Sequence, residues 1–121
     1  MTSSTRTAAE AAACRIEEDW GSLTWLAGRK IGNAEGLTLG RVVIQRGQSN
    51  PRHSHPNCEE ALYLLKGRLR HTMGDEEVTL EPGDTIVLDA AVPHNATSIG
   101  DEDADMIVAY SSADRGFRAE T

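Results

Sequence analysis

The segment from Gly47 to Gly67, GQSNPRHSHPNCEEALYLLKG, decides how this chain is read. It opens on turn residues, sets His53 and His55 two positions apart between Pro51 and Pro56, and runs through Glu59 and Glu60 into the apolar stretch Ala61–Leu65. Side chains at i and i+2 of an extended chain point to one face. Two imidazoles placed that way can bind one ion; on a helix the same spacing would turn them to different faces. Glu59 or Glu60 can add a carboxylate oxygen. His94, behind Pro93 on a later apolar run, can close such a site from across the fold.

Outward from this segment the pattern is strand, turn, strand. Short apolar runs fall at Ser22–Leu26, Leu37–Gln45, Ala61–Lys66, Arg68–Met73, Val78–Leu80, Thr85–Leu88, Pro93–Ser98 and Asp105–Tyr110. Gly32-Asn33, Gly47 to Pro51, Gly67, Gly74-Asp75, Pro82-Gly83-Asp84 and Gly100-Asp101 punctuate them. No stretch keeps apolar spacing of three and four over ten or more residues, as a core helix would. Many short strands at regular spacing predict an all-β sandwich or barrel. The consecutive β-branched residues Val42, Val43 and Ile44 predict a strand covered on both faces. If Glu60 points inward, alternation turns Leu62 and Leu64 inward and Tyr63 outward. Residues 1–13, rich in Ser, Thr and Ala, are expected as a flexible tail, although Thr7-x-x-Glu10 fits a capping box that could start a helix across Ala8–Ala13.

The 121 residues are enough for one domain, expected over 14–121. A net charge of −7 argues against a nucleic-acid partner, which would call for a basic face. The longest apolar run is far too short to span a bilayer. Two cysteines, Cys14 and Cys58, form no disulfide framework and are read as reduced thiols of a cytoplasmic protein. His71 stands in a charged strand and is read as lying outside any site.

The segment Gly47–Gly67 resembles the first motif of the cupin superfamily: a glycine, H-x-H, a glutamate and a closing glycine. Gly83 to His94, GDTIVLDAAVPH, resembles the second motif. There Asp89 stands where the family usually has proline, Ala91 where it has glycine, and Ser98 where it often has asparagine. The resemblance implies a double-stranded β-helix, or jelly-roll barrel, with one divalent metal held by His53, His55, Glu60 and His94. Distance to Gly67 favours Glu60 over Glu59, and the motif leaves Cys58 out. It also implies a homodimer.

Three imidazoles and a carboxylate suit Fe, Mn, Ni, Co or Zn, and leave positions open for substrate, dioxygen or water. The leading expectation is a metal-dependent enzyme on an oxygen-bearing small molecule. Fe(II)- or Mn(II)-dependent dioxygenase-like chemistry comes first, with isomerase or lyase chemistry close behind. The alternative is a cupin that binds a sugar or metabolite without transforming it. Arg41 and Gln45, on the strand entering the first motif, are read first as solvated strand residues and second as candidates to support the metal site or hold a substrate carboxylate or carbonyl. Trp20, Trp25, Met106, Tyr110 and Phe117 are expected in the barrel wall or as an apolar lid. The segment after Ser111 carries no assignment.

Overall fold

A computed structural model describes residues 4–120. The chain forms α1 (Ala8–Ala13), β1 (Ile16–Glu18), β2 (Gly21–Ala27), β3 (Thr38–Ile44), β4 (His53–Ser54) and β5 (Glu60–Lys66). It continues through β6 (Leu69–Met73), β7 (Glu76–Leu80), β8 (Thr85–Leu88), β9 (His94–Ser98), β10 (Ala104–Tyr110) and β11 (Arg118–Ala119). All strand pairs are antiparallel. One sheet has the order β1-β2-β3-β10-β5-β8 and the other β11-β4-β9-β6-β7. This is the jelly-roll arrangement expected from the sequence.

The two sheets close over one apolar core. Val42, Ile44, Leu62, Leu64, Met106 and Val108 of the first sheet meet Leu69, Leu80 and Ala96 of the second. Alternation decides which residues enter it. On β5, Glu60, Leu62 and Leu64 are buried while Tyr63 is exposed, as the parity argument required. On β3, Val42 and Ile44 are buried and Val43 is half-covered, so only one face of that strand is fully enclosed. Gly67 lets the chain cross from the first sheet to the second. Its φ of 85° is a left-handed conformation, and a Cβ there would stand 2.8 Å from Ala104 Cα.

The amino-terminal expectation needs correction. Residues 8–13 form α1 rather than part of a tail, because the capping box is complete. The Thr7 hydroxyl accepts from Glu10 N at 3.1 Å, and the Glu10 carboxylate accepts from Thr7 N at 3.0 Å. Ala11 is buried beneath the helix, and Arg6 Nε donates to Trp25 O on β2 at 3.1 Å. The first three residues of the expected tail lie outside the described ones. Three strands of two or three residues, β1, β4 and β11, were not legible as apolar runs. Among the described residues no helix is long and apolar enough to cross a membrane.

Candidate metal centre

Four elements bring the candidate ligands to one end of the barrel. His53 lies on β4 directly opposite His94, the first residue of β9. Glu60 opens β5, opposite Tyr110 at the end of β10. His55 sits just beyond β4. Their ligand atoms all lie within 4.8 Å of one another, and all four residues are buried. Arg52 turns the other way. It donates to Thr72 Oγ1 at 3.0 Å, to Gly74 O at 2.8 Å and to Glu120 at 3.1 Å, tying β4 to its neighbours and fixing its facing.

Backbone carbonyls set the histidine tautomers. Nδ1 of His53 meets Pro51 O at 2.7 Å, Nδ1 of His55 meets Gly116 O at 2.8 Å, and Nδ1 of His94 meets Val92 O at 2.9 Å. A carbonyl only accepts, so each Nδ1 carries a proton, and in the neutral imidazole each Nε2 presents a lone pair. Glu60 Oε1 lies 3.1 Å from His94 Nε2 and 3.2 Å from His55 Nε2. The His55 approach is not aligned as a hydrogen bond, and that buried Nε2 is left without a partner. Lone pairs gathered around a buried carboxylate repel one another unless a ring is protonated or a cation stands among them. An orphaned buried nitrogen and tautomers locked by outer hydrogen bonds are what a metal site requires.

The protonation states agree. Burial drives the His53 imidazole down to about 4, which keeps it neutral at physiological pH, as a ligand must be. Burial alone would raise the Glu60 carboxyl, but a proton on the His55 or His94 nitrogen facing it outweighs burial and lowers the group, a place that a bound cation would take. Burial, reinforced by the Glu60 charge, pushes the Tyr110 phenol well up and keeps it protonated.

The turn before His94 bears the mark of its sequence. Ala91 has φ 69°, the only positive φ among the described non-glycine residues, at the position where the second motif usually has glycine. Its N–H donates to His55 O at 2.9 Å, and the next residue supplies the carbonyl that orients His94. The turn geometry survives loss of the glycine, at the cost of a strained alanine.

His53, Glu60 and His94 face a cavity of about 170 Å³. Trp20, Trp25, Met106, Tyr110 and Phe117 all line it, together with Leu62, Val108 and Ala96. Arg41 and Gln45 do not: their candidacy beside the metal fails, and their reading as solvated strand residues holds. Alternation on β3 sends Val42 and Ile44 inward and leaves residues 41 and 45 exposed. Arg41 is instead paired with Asp105 outside the barrel, through bonds of 2.8 and 2.5 Å. Cys58 is a buried free thiol outside the ligand cluster, and Cys14 is exposed and free.

Two features were missed. His71 is only 2% exposed, lines the cavity and stacks on His94 with ring centroids 5.8 Å apart. Its parity with Leu69 on β6 was the available signal, masked by the flanking Arg68 and Arg70. The segment after Ser111 also folds over the site. The Gly116 carbonyl holds His55, Phe117 stacks on His53 at 5.0 Å, and Arg115 joins the cavity wall. Phe117 was expected in the wall or lid; nothing in the segment's composition announced the parts of Arg115 and Gly116.

The cupin-domain family profile matches residues 40–110. The chain belongs to the cupin family. Among curated relatives, this cupin is 32% identical to germin-like protein 3-8 of Oryza sativa subsp. japonica over 85 residues. That match covers 66% of the chain and 38% of the rice protein, so the cupin spans well under half of that relative's length. Among solved structures, the oxalate decarboxylase formate complex of Lactobacillus farciminis superposes with a TM-score of 0.81 at 21% identity. It covers 87% of this chain and 32% of its own. The oxalate decarboxylase of Bacillus subtilis, studied for its Mn(II) centres, gives 0.81 at 20% identity, covering 87% and 29%. At such identities these likenesses establish the fold.

Proposed function

We propose that this cupin holds one divalent first-row metal ion through Nε2 of His53, His55 and His94 and a carboxylate oxygen of Glu60, and acts on a small oxygen-bearing organic molecule. The single observation behind the reading is the tautomer set. Three Nδ1–H groups are committed to backbone carbonyls, leaving three lone pairs and an anionic carboxylate converging on one point. Fe, Mn, Co, Ni and Zn all suit such donors, and the Mn(II) centres of the Bacillus subtilis oxalate decarboxylase that shares the fold favour testing manganese early.

When bound, the ion would supply Lewis acidity and open positions for a substrate oxygen or dioxygen. The chain's own contribution is to orient and exclude. Pro51, Val92 and Gly116 carbonyls fix the imidazoles, while Leu62, Ala96, Met106 and Val108 keep the cavity wall apolar. Tyr110 stays protonated beside Glu60 and can donate to a developing oxyanion. A cavity of about 170 Å³ lies below the usual range for drug-sized ligands and suits a small metabolite. We place dioxygenase-like chemistry first and isomerase or lyase chemistry second. The binding-only reading is favoured by one observation: Glu60 and Glu18 are the only carboxylates along the cavity, and Glu60 is committed to the ion.

Elemental analysis of purified protein, with His53→Ala and Glu60→Ala variants, tests the proposal. Near-stoichiometric metal lost in both variants supports it. Wild-type protein that carries no metal and takes none up on reconstitution overturns it. Oxygen uptake with phenols, diketones and thiols then separates turnover from retention of an unchanged ligand.

A further inference from the structure

Arg115 is the only lysine or arginine among the residues lining the cavity. It stands in the segment between β10 and β11, and its guanidinium carbon lies 4.6 Å from the Trp25 ring centroid, 5.3 Å from that of Tyr110 and 5.7 Å from that of Phe117. Those rings lead to the ligands. Tyr110 packs edge-on to His55 with centroids 4.8 Å apart, and Phe117 stacks on His53 at 5.0 Å. The rings of Tyr110 and Phe117 therefore each touch both the guanidinium and the histidine cluster.

Among the described residues Arg115 makes no ion pair and no hydrogen bond. Its neighbour Asp114 is committed to Arg29 at 2.8 Å. The Arg115 N–H edge is therefore free of protein acceptors among the described residues and open to a ligand. Three ring faces position it without occupying its donor edge. Trp25 and Arg115 also line a second groove outside, with Gly28, Lys30 and Thr38, so the pair stands at the cavity's boundary.

We propose that Arg115 is the anion-recognising residue of this site, pairing with a carboxylate on a small substrate whose other oxygen donors reach the ion held by His53, His55, Glu60 and His94. The inference rests on the metal reading above and narrows it to an organic acid. Planar two-point pairing with a carboxylate is what a guanidinium offers over an ammonium.

The test is calorimetric titration of Mn(II)-loaded, desalted protein with malonate and with its neutral counterpart malonamide. Wild type, Arg115→Met and Arg115→Lys are compared, with metal content and circular dichroism recorded for each. Wild type is expected to prefer malonate at least tenfold. The preference should fall at least tenfold in Arg115→Met, to what the ion alone gives, and be partly kept in Arg115→Lys, with metal content unchanged. A preference undiminished in Arg115→Met, or missing in wild type, overturns the proposal and leaves the metal reading standing. Equal weakening of malonate and malonamide in the variants makes Arg115 a structural prop and likewise overturns it. A wild-type protein that binds no Mn(II) sinks the metal reading first, and this inference with it.

Discussion

Replacing Ala91 with glycine should stabilise the protein, against the usual direction of such a change. Ala91 sits at φ 69°, where an L side chain meets its own carbonyl at a cost of about 1–2 kcal/mol. Glycine adopts that conformation without the penalty. Against the relief stands the greater freedom of glycine in the unfolded chain, about 0.4–1 kcal/mol. The methyl group is exposed, so little packing is lost, and the N–H that donates to His55 O is kept. The net expectation is a gain of about 0.5–1 kcal/mol, a rise of roughly 2–5 °C in Tm for a chain of this size. Ala90→Gly, also at an exposed position but without a positive φ, is the control and should lose about 0.4–1 kcal/mol. Urea unfolding of metal-free wild type and both variants reads the difference through the midpoint at unchanged slope. If Ala91→Gly destabilises as much as Ala90→Gly, the turn is not strained and the reasoning fails.

Other expectations concern protons, the carboxy-terminal segment and assembly. Folding holds His53 near 4 against an ordinary 6.5, so the unfolded chain binds the extra proton between those values. Metal-free stability should be full above about pH 6.5 and fall by about 3 kcal/mol on descending to pH 4; a urea midpoint that is flat across this window, or equally sloped in His53→Gln, contradicts it. Gly116→Ala would place a Cβ 2.5 Å from Asn57 Oδ1 and displace the carbonyl that His55 Nδ1 donates to, so metal affinity should drop about 10–100-fold. Chelator competition measures this, and a change within about twofold would mean that carbonyl is dispensable. The homodimer expected from the sequence has a ready surface on the first sheet, where Tyr63, Leu65 and Val87 are exposed. Light scattering should find a wild-type dimer and a Tyr63→Glu/Val87→Glu monomer, and a monomeric wild type would reject the dimer outright.

Much of the barrel was legible because alternation leaves a trace in sequence. Glu60, Leu62 and Leu64 could be assigned inward, and Tyr63 outward, from parity alone, and burial follows that pattern. The cluster of His53, His55, Glu60 and His94 was expected partly from an i, i+2 histidine pair, which has a definite meaning on an extended chain, and partly from the motif resemblance, and the fold brings the four together. Parity failed where it was not applied. His71 shares the inward face of β6 with Leu69, yet the outward charges of Arg68 and Arg70 disguised it. The candidacy of Arg41 is the converse error, since its strand neighbours Val42 and Ile44 already claimed the interior. The helix α1 was written in Thr7 and Glu10, but six residues of weak amphipathicity gave the capping box little support.

The segment 112–119 failed for a different reason, and the difference bears on function. It has no periodicity, and long-range contacts set its course: Asn57 Oδ1 accepts from Gly116 N at 2.7 Å, and Asn57 Nδ2 donates to Asp114 O at 2.8 Å. Three consecutive residues then arrive at the cavity with separate tasks, a guanidinium from Arg115, a carbonyl from Gly116 and a ring from Phe117. All three lie beyond the region matched by the cupin profile, which ends at residue 110. The motifs therefore account for the four candidate ligands, whereas the guanidinium proposed to read the substrate sits on a stretch the motifs do not reach. A donor set of three imidazoles and one carboxylate accommodates many reactions. What distinguishes this cupin from others with the same four ligands must lie in the wall, and its one unpaired cation is on the carboxy-terminal side of that wall.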